Sequence, residues 1–339
     1  MSIAKAHITT PAKLILSGEH SVCYGAPAVG TPLAMYLHTT WQLREDSSIV
    51  LKFNEDCFEL AETWQSLSAP LAGFRARYED FIHGRSDGVP ILPRPQDLVT
   101  LTLAMFYEHF APRDMPGLNI SIASQIPVSS GMGSSSAVII NILRGALQTA
   151  GLEMAQNEML DLARRIEDFQ HGTSSGLDLA LVSGARPLLF NKKDGILRLL
   201  PDLGRDLCLV YTGKPENSTG ECVRAVSQKF GKDEKLWADF SACTHGILQA
   251  LETKDATLLQ AGVRKNHALL CHIGVVPEKT RDMIKDCEAA GMAAKICGAG
   301  ALTGSAAGMV WVIGNEKNDE TLNEITLKYR MSYDRYATG

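Results

Sequence analysis

The stretch SSGMGSSSA, Ser129 to Ala137, has the residue types of an anion-binding loop. Gly131 and Gly133 lack a Cβ and let the backbone come close to a ligand. The serines at 134–136 precede an apolar helical run, where backbone N–H groups bind phosphate and hydroxyls can contact phosphate or Mg²⁺. An ordinary helix N-cap with spare serines is the alternative. The stretch has no lysine, so a phosphate site here must take its lysine from elsewhere in the chain.

A second cluster is PAKLILSGEHSVCYG, Pro11 to Gly25. Lys13 opens an apolar segment that reads as a buried strand, and Glu19 and His20 lie on the turn after it. An exposed lysine at a strand start, followed by a polar turn, is the alternative.

Two carboxylates form the third cluster. Glu167 borders the apolar stripe of a helix predicted from about Met154 to Gln170, and Asp178 lies within LDLALV, which reads as a buried strand over 177–182. A buried carboxylate is costly unless it is paired. A solvated charge on a helix is the alternative for Glu167. For Asp178, an ordinary buried strand does not explain why a charged residue is present.

The fourth cluster is KICGAGALTG, Lys295 to Gly304. Its spacing is G-x-G-x-x-x-G, which differs from the G-x-G-x-x-G of a dinucleotide-binding turn, and no strand and acidic residue follow as that turn requires. Alone, this segment therefore points to no particular ligand.

Composition narrows the classes of function. The 339 residues are 45% hydrophobic and 21% charged with a formal net charge of −5, as in globular proteins. This charge gives no general attraction to nucleic acid or to an anionic membrane, so an anionic ligand needs a local positive pocket. There is no apolar signal core or run of 18 apolar residues, and the eight cysteines form no CxxC pair. We therefore expect a cytoplasmic protein with reduced thiols, and no metal held by protein side chains alone.

The spacing of apolar residues predicts the helices and strands that must position these clusters. Extended segments are predicted over 4–41 and strands at 118–126, 206–211, 292–297 and 307–313. Helices are predicted at 98–110, 135–150, 218–230, 235–253, 256–270, 278–290 and 318–329. A polar region at 191–203, with KKDG and PDLG turns, predicts the domain boundary.

Together the four clusters resemble the GHMP kinases, small-molecule kinases that carry three motifs in this order. The central family motif, P-x-x-x-G-L-G-S-S-A-A, stands here as PVSSGMGSSSA. The first cluster is similar to P-G-K-x-I-L-x-G-E-H-A-V-V-x-G of the mevalonate kinases, and IEDFQHGTSSGLD to their E-x-x-x-H-G-x-P-S-G-x-D. The segments TGKPENST and NHALLCHIGV look like the C-terminal half of that subfamily.

The resemblance implies ATP-dependent phosphorylation of the primary hydroxyl of (R)-mevalonate, with Mg²⁺ as cofactor. It makes Lys13 the missing lysine, placed between the γ-phosphate and a catalytic base, Asp178. It assigns Mg²⁺ to Ser135 and Glu167, and substrate orientation to Glu19, His20 and Thr219. ATP contacts are implied for Ser129, Ser130, Gly131, Met132, Gly133, Ser134, Ser135, Ser136, Gly298, Ala299 and Gly300.

The implied fold is α+β with two domains and the active site in the cleft between them. The N-terminal domain, 1–195, resembles domain 2 of ribosomal protein S5, and the C-terminal domain, 196–339, is ferredoxin-like. The expected partners are ATP and mevalonate, with no nucleic acid and no membrane; a homodimer is compatible with the resemblance.

The sequence departs from the family pattern in three places. Ser174 replaces a proline and Ala12 a glycine, whereas Cys297, Ala301, Leu302 and Thr303 occupy positions that usually hold Thr or Gly. The changes at 297 and 301–303 are expected to alter the shape of the glycine-rich loop of the fourth cluster and the affinity for the nucleotide. A kinase for phosphomevalonate or a sugar, and a silent sensor that binds a nucleotide or an isoprenoid, stay open as alternatives.

Overall fold

The computed structural model describes residues 5–53, 56–85, 90–112, 115–203, 206–314 and 318–338. The chain divides into two compact units, each formed by several stretches of the sequence. The first comprises 1–11, 36–126 and 135–183; the second comprises 12–35, 127–134 and 184–339. Both contain helices and antiparallel strands, so the α+β class is confirmed. The domain boundary at residue 195 remains a prediction.

The first unit contains helices and strands that pair in both parallel and antiparallel directions. The long strands β1 (Lys5–Ser17) and β2 (Ala28–Arg44) each begin or end in it. The remaining elements are β3 (Ile49–Phe53), β4 (Asp56–Ala61), α1 (Leu71–Ile82), α2 (Asp97–Phe110), β5 (Gly117–Ser124), α3 (Ser134–Ala150), α4 (Gln156–His171) and α5 (Leu177–Ser183). Strand β5 pairs antiparallel with Leu37–Arg44 of β2 and parallel with β3, and β3 forms a hairpin with β4.

The second unit contains a four-stranded antiparallel sheet. Its order is β11-β8-β10-β9, and a separate hairpin of β6 and β7 pairs through β6 with Ala28–Gly30 of β2. The elements are β6 (Leu188–Asn191), β7 (Gly195–Leu199), β8 (Leu207–Tyr211), α6 (Thr219–Phe230), α7 (Glu234–Thr253), α8 (Ala256–His272), α9 (Glu278–Ala289), β9 (Ala293–Cys297), β10 (Met309–Ile313), α10 (Asp319–Tyr329) and β11 (Ser332–Tyr336). Apolar residues of this sheet and its helices form one buried core that includes Val210, Phe240, Leu270, Ile284, Ile296 and Val310.

A buried asparagine fixes α3 in the first unit. The Asn141 Oδ1 accepts a hydrogen bond from Thr39 at 2.5 Å, and its Nδ2 donates to the Thr10 hydroxyl at 3.1 Å and to the Ile8 and Leu37 carbonyls at 3.3 Å. The amide thus uses its donors and its acceptor on β1 and β2, as a fully buried polar group must. The helix that begins in the serine-rich loop is therefore held to both long strands.

The structure corrects one prediction of local structure and adds strands that the sequence analysis did not predict. Residues 177–182, predicted as a strand, lie in the helix α5. Both faces of LDLALV are apolar, so periodicity alone cannot separate a buried helical turn from a buried strand. The polar region at 191–203 contains the end of β6 and all of β7; β7 and β11 were not predicted.

No helix in the described part of the chain is both long and apolar enough to cross a membrane.

The Asn141 network predicts a stability effect. Asn141→Ala leaves the Thr39 hydroxyl and buried carbonyls without their partner, so we expect the free energy of unfolding to fall by about 1–3 kcal/mol. Urea denaturation measures this, with Gln148→Ala, an exposed change on the same helix, as the matched control. Equal midpoints for the two variants would show that the network contributes nothing.

Candidate active site

The serine-rich loop lies in the second unit up to Ser134, where α3 begins. Ser129 and Gly131 both have left-handed φ values, of 59° and 83°. A Cβ at Gly131 would lie 2.4 Å from the Cys297 carbonyl oxygen, so only glycine fits this close approach. The Ser130 carbonyl accepts a hydrogen bond from the Met309 N–H at 3.0 Å. The loop is therefore anchored to β9 and β10 just before a helix N-terminus, the arrangement that binds phosphate.

The structure places Lys13 beside this loop. The residue is only 1% exposed, and its backbone N–H donates to the Met132 carbonyl at 3.1 Å. A fully buried lysine is rare, because its charge loses hydration and must be compensated. The alternative of an exposed lysine at a strand start is therefore wrong. The catalytic role of Lys13 stays a prediction.

His20 is held in a strained turn that contacts the third glycine-rich segment. Its φ of 58° with ψ of −49° is uncommon for a residue with a side chain. Its Nε2–H donates to the Ala299 carbonyl at 3.0 Å. Burial lowers the pKa of His20 to about 4, although this hydrogen bond opposes the shift. His20 is therefore a neutral imidazole near neutral pH, and the first and third clusters meet here.

Glu19 forms an ion pair with Lys295 of β9, and both side chains are fully buried. Burial raises the pKa of Glu19, while the Lys295 charge and hydrogen bond oppose that rise. The sequence analysis assigned no role to Lys295. Its signal was present as the single charge in the otherwise apolar strand AAKIC, but nothing local identified its partner.

In the first unit, Glu167 lies on α4 and is 3% exposed. The Ser136 hydroxyl donates to one carboxylate oxygen and the Ser174 hydroxyl donates to the other. The alternative of a solvated helix charge is therefore wrong. Ser174, which stands where the family usually has proline, supplies a hydrogen bond that proline cannot.

Asp178 lies in the first turn of α5, half-buried. The turn before it is closed by Ser174, whose hydroxyl accepts from the Gly176 N–H at 2.9 Å, and by Ser175, whose hydroxyl accepts from the Leu177 N–H at 3.2 Å. A carboxylate at a helix N-terminus is stabilised by the helix dipole. The two serines are the helix-start signal that the sequence analysis missed.

The third glycine-rich segment is tied to the loop before α6. The Asn217 Oδ1 accepts hydrogen bonds from the backbone N–H groups of Leu302 at 2.9 Å and Thr303 at 3.0 Å. Thr219 is exposed at the first position of α6, two residues further on. Its assignment as a substrate ligand stays a prediction.

The residues predicted to hold Mg²⁺ have suitable chemistry. The Glu167 carboxylate is fixed by two hydroxyls but retains lone pairs, and Ser135 lies next to Ser136 in the first turn of α3. Carboxylate and hydroxyl oxygens are the hard ligands that Mg²⁺ takes together with phosphate and water. The residues therefore fit this ion.

One family model matches part of the chain. Residues 97–184 match the family described as "GHMP kinases N terminal domain". This match contains α2, β5, the serine-rich loop, Glu167 and Asp178. The resemblance to the GHMP kinases is confirmed.

Mevalonate kinases are among the proteins that this chain resembles over most of its length. The chain is 28% identical to the mevalonate kinase of Thermococcus onnurineus, in an alignment 335 residues long that covers 94% of this chain and 92% of the relative. The crystal structure of the Methanococcus jannaschii mevalonate kinase superposes with a TM-score of 0.77 at 20% identity, covering 98% of each chain. The Lactococcus lactis galactokinase, solved with galactose, superposes with a TM-score of 0.76 at 15% identity over 100% of this chain and 94% of that one. The GHMP kinase fold is confirmed, and enzymes of different substrates share it.

The Glu167 contacts predict an effect of removing one hydroxyl. Ser174→Ala takes away a donor to the buried carboxylate and the acceptor of the Gly176 N–H, so the free energy of unfolding should fall by about 1–3 kcal/mol. Chemical denaturation measures this against Thr173→Ala, an exposed neighbour. If both variants unfold alike, the Ser174 hydroxyl does not stabilise Glu167.

Proposed function

We propose that the chain is a mevalonate kinase, which transfers the γ-phosphoryl group of ATP to the primary hydroxyl of (R)-mevalonate and yields 5-phosphomevalonate and ADP. The observation that carries the proposal is the buried Lys13, whose strand is bonded to the serine-rich loop and leads into the GEH turn. The similarity to mevalonate kinases along most of the chain supports the choice of acceptor.

Phosphoryl transfer needs positioning and neutralisation of charge more than covalent chemistry. The acceptor oxygen forms a bond to the γ-phosphorus as the bond to the leaving oxygen of ADP breaks. Asp178 accepts the proton of the acceptor hydroxyl. Lys13 stabilises the negative charge that develops on the phosphoryl oxygens, and the loop from Ser129 to Ser136 holds the phosphates through backbone N–H groups.

Ser135 and Glu167 would hold Mg²⁺. When bound, the ion neutralises phosphate charge and orients the polyphosphate. The hydroxyls of Ser136 and Ser174 keep the Glu167 carboxylate in one orientation, as outer-shell groups do at metal sites.

The acceptor is oriented by the GEH turn in this proposal. Glu19 supplies a carboxylate oxygen for a substrate hydroxyl, and His20 is a neutral group next to the third glycine-rich segment. Gly298, Ala299 and Gly300 contribute to the nucleotide site, and Thr219 is a further candidate for the acceptor. A cytoplasmic location and a homodimer remain predictions.

Two other functions compete. A phosphomevalonate or sugar kinase would share the fold, since a galactokinase and the Streptococcus pneumoniae phosphomevalonate kinase superpose on the chain with TM-scores of 0.76 and 0.74. A phosphorylated acceptor needs extra cations, and the GEH turn is the feature that favours mevalonate. A sensor without catalytic activity would not need to retain all four of these residues: Lys13, Ser135, Glu167 and Asp178.

The choice of acceptor predicts a substrate profile. With Mg·ATP the protein should release ADP with (R)-mevalonate and show little turnover with phosphomevalonate, galactose or other sugars. A coupled ADP-release assay over this panel measures it. Equal or faster turnover of a sugar would reject mevalonate as the acceptor and leave a GHMP kinase of another specificity; no turnover with any acceptor would favour the sensor.

The assignment of the base predicts that Asp178→Asn lowers kcat by about 10²–10⁴-fold, because the amide keeps the shape but cannot accept the proton. Lys13→Met should lower kcat by a similar order. If the two groups act on the same step, as proposed, the double variant should not show the product of the two losses. Binding of a non-hydrolysable ATP analogue to Asp178→Asn should survive in calorimetry. Asp161→Asn, an exposed change on α4, is the control. Near-normal turnover of Asp178→Asn rejects Asp178 as the base.

A further inference from the structure

The buried ion pair of Glu19 and Lys295 links two distant parts of the second unit. Glu19 follows the end of β1, and Lys295 lies in the middle of β9, just before the third glycine-rich segment. The Lys295 ammonium also donates to the Ile15 carbonyl at 3.4 Å. A pair with no exposed surface has lost its hydration, so each charge depends on the other.

Helices α7 and α8 hold the strand that leads to this pair. The Ser17 hydroxyl is hydrogen-bonded to the Thr244 hydroxyl at 2.8 Å and accepts from the Asn266 amide at 3.4 Å. Ser17 is only two residues before Glu19. The position of the Glu19 backbone is therefore fixed without Lys295, and what Lys295 adds is control of the carboxylate.

Only one oxygen of that carboxylate is satisfied. Lys295 donates to Oε1, whereas Oε2 is buried and has no hydrogen-bond partner among the described residues. Buried carboxylate oxygens almost always have a donor, and one without a donor in the protein calls for a ligand or water.

We infer that Lys295 is a positioning residue for the acceptor substrate: it holds one Glu19 oxygen through the buried ion pair and leaves the other oxygen for a substrate hydroxyl. This inference rests on the proposed function and adds to it a residue on β9 that never contacts the acceptor itself. The ligand chemistry it requires is an uncharged hydroxyl donor, because a second carboxylate would be repelled.

The neighbouring groups whose pKa is shifted by burial do not change charge near neutral pH. Lys13 is the second cation that acts on Glu19. Burial raises the pKa of Cys297 and of Cys243 to about 11 and lowers the pKa of His267 to about 4. Between about pH 6 and 9 the two thiols stay protonated and His267 stays neutral. If the loss of Lys295 makes kcat/KM depend on pH in this range, that dependence therefore reports the protonation of Glu19.

The test compares Lys295→Met with the double variant Glu19→Gln/Lys295→Met. Lys328→Met, which removes an exposed ion pair with Asp286 in the same unit, is the control. Steady-state assays with Mg·ATP give the mevalonate KM, the ATP KM and kcat over pH, and thermal unfolding gives Tm. The wild type and the Lys328 variant should have similar KM values, kcat and Tm.

In Lys295→Met the mevalonate KM should rise about 10- to 100-fold, the range for losing a hydrogen bond to a charged group, with the ATP KM changed less. The pKa of Glu19 should rise further without its cation, so the rising limb of kcat/KM should move to higher pH. For the same reason Glu19 takes up a proton on folding, and the loss in Tm should be smaller at about pH 5 than at about pH 8. The double variant has lost both charges of the pair, so its Tm should return toward that of the wild type. Its mevalonate KM should stay raised, and its kcat/KM profile should not show the rising limb at higher pH.

Three outcomes overturn the inference: a mevalonate KM near the wild-type value in the double variant, an unmoved pH profile in Lys295→Met, or equal losses of Tm at both pH values. Failure of the proposed function looks different, because the wild type then does not turn over mevalonate. In that case the pH dependence of Tm in Lys295→Met still decides whether Lys295 controls the ionisation of Glu19.

Discussion

The cost of burying charge is the constraint on which the rest of the site depends. Two cations, Lys13 and Lys295, and two carboxylates, Glu19 and Glu167, are withdrawn from water. Each would destabilise the folded chain unless it met a compensating group. Glu19 meets Lys295, and Glu167 meets two serine hydroxyls. The elements that carry these residues are therefore fixed relative to their partners, which is the rigidity that positioning of a phosphoryl group requires.

Elements with a strong repeating pattern could be predicted from the sequence. Helices α2, α3, α6, α7, α8, α9 and α10, and strands β5, β8, β9 and β10, lie within a few residues of their predicted positions. Short elements without a clear period could not: α5 has seven residues that are apolar except for Asp178 and Ser183, and β7 alternates weakly. The start of α5 depends on side-chain hydrogen bonds of Ser174 and Ser175, which hydrophobic periodicity does not detect.

The candidate site shows a similar division. A charge next to an apolar stripe or strand made Glu167 and Lys13 conspicuous in the sequence. Only the resemblance to a family gave them a role, and that role stays a prediction. The partners were not predictable. Lys295 meets Glu19 across 276 positions of sequence, and Ser174 contacts Glu167 through a turn whose path depends on packing. A contact between distant residues leaves no local signature, so one sequence alone cannot reveal it.

The altered third loop follows the same physical logic. At Gly300, φ is +67° and a Cβ would lie 2.0 Å from the Val275 carbonyl oxygen, so glycine is required there. Leu302 and Thr303, where the family has glycine, are exposed, and φ is not left-handed at either residue. Their backbone N–H groups are bonded to the Asn217 side chain. Because those N–H groups already have an acceptor, this part of the loop has less capacity to bind phosphate than a glycine run whose N–H groups are unbonded. Under the proposed function, Gly298, Ala299 and Gly300 are therefore the part of this segment left to contact the nucleotide, and His20 contacts the backbone of the same part.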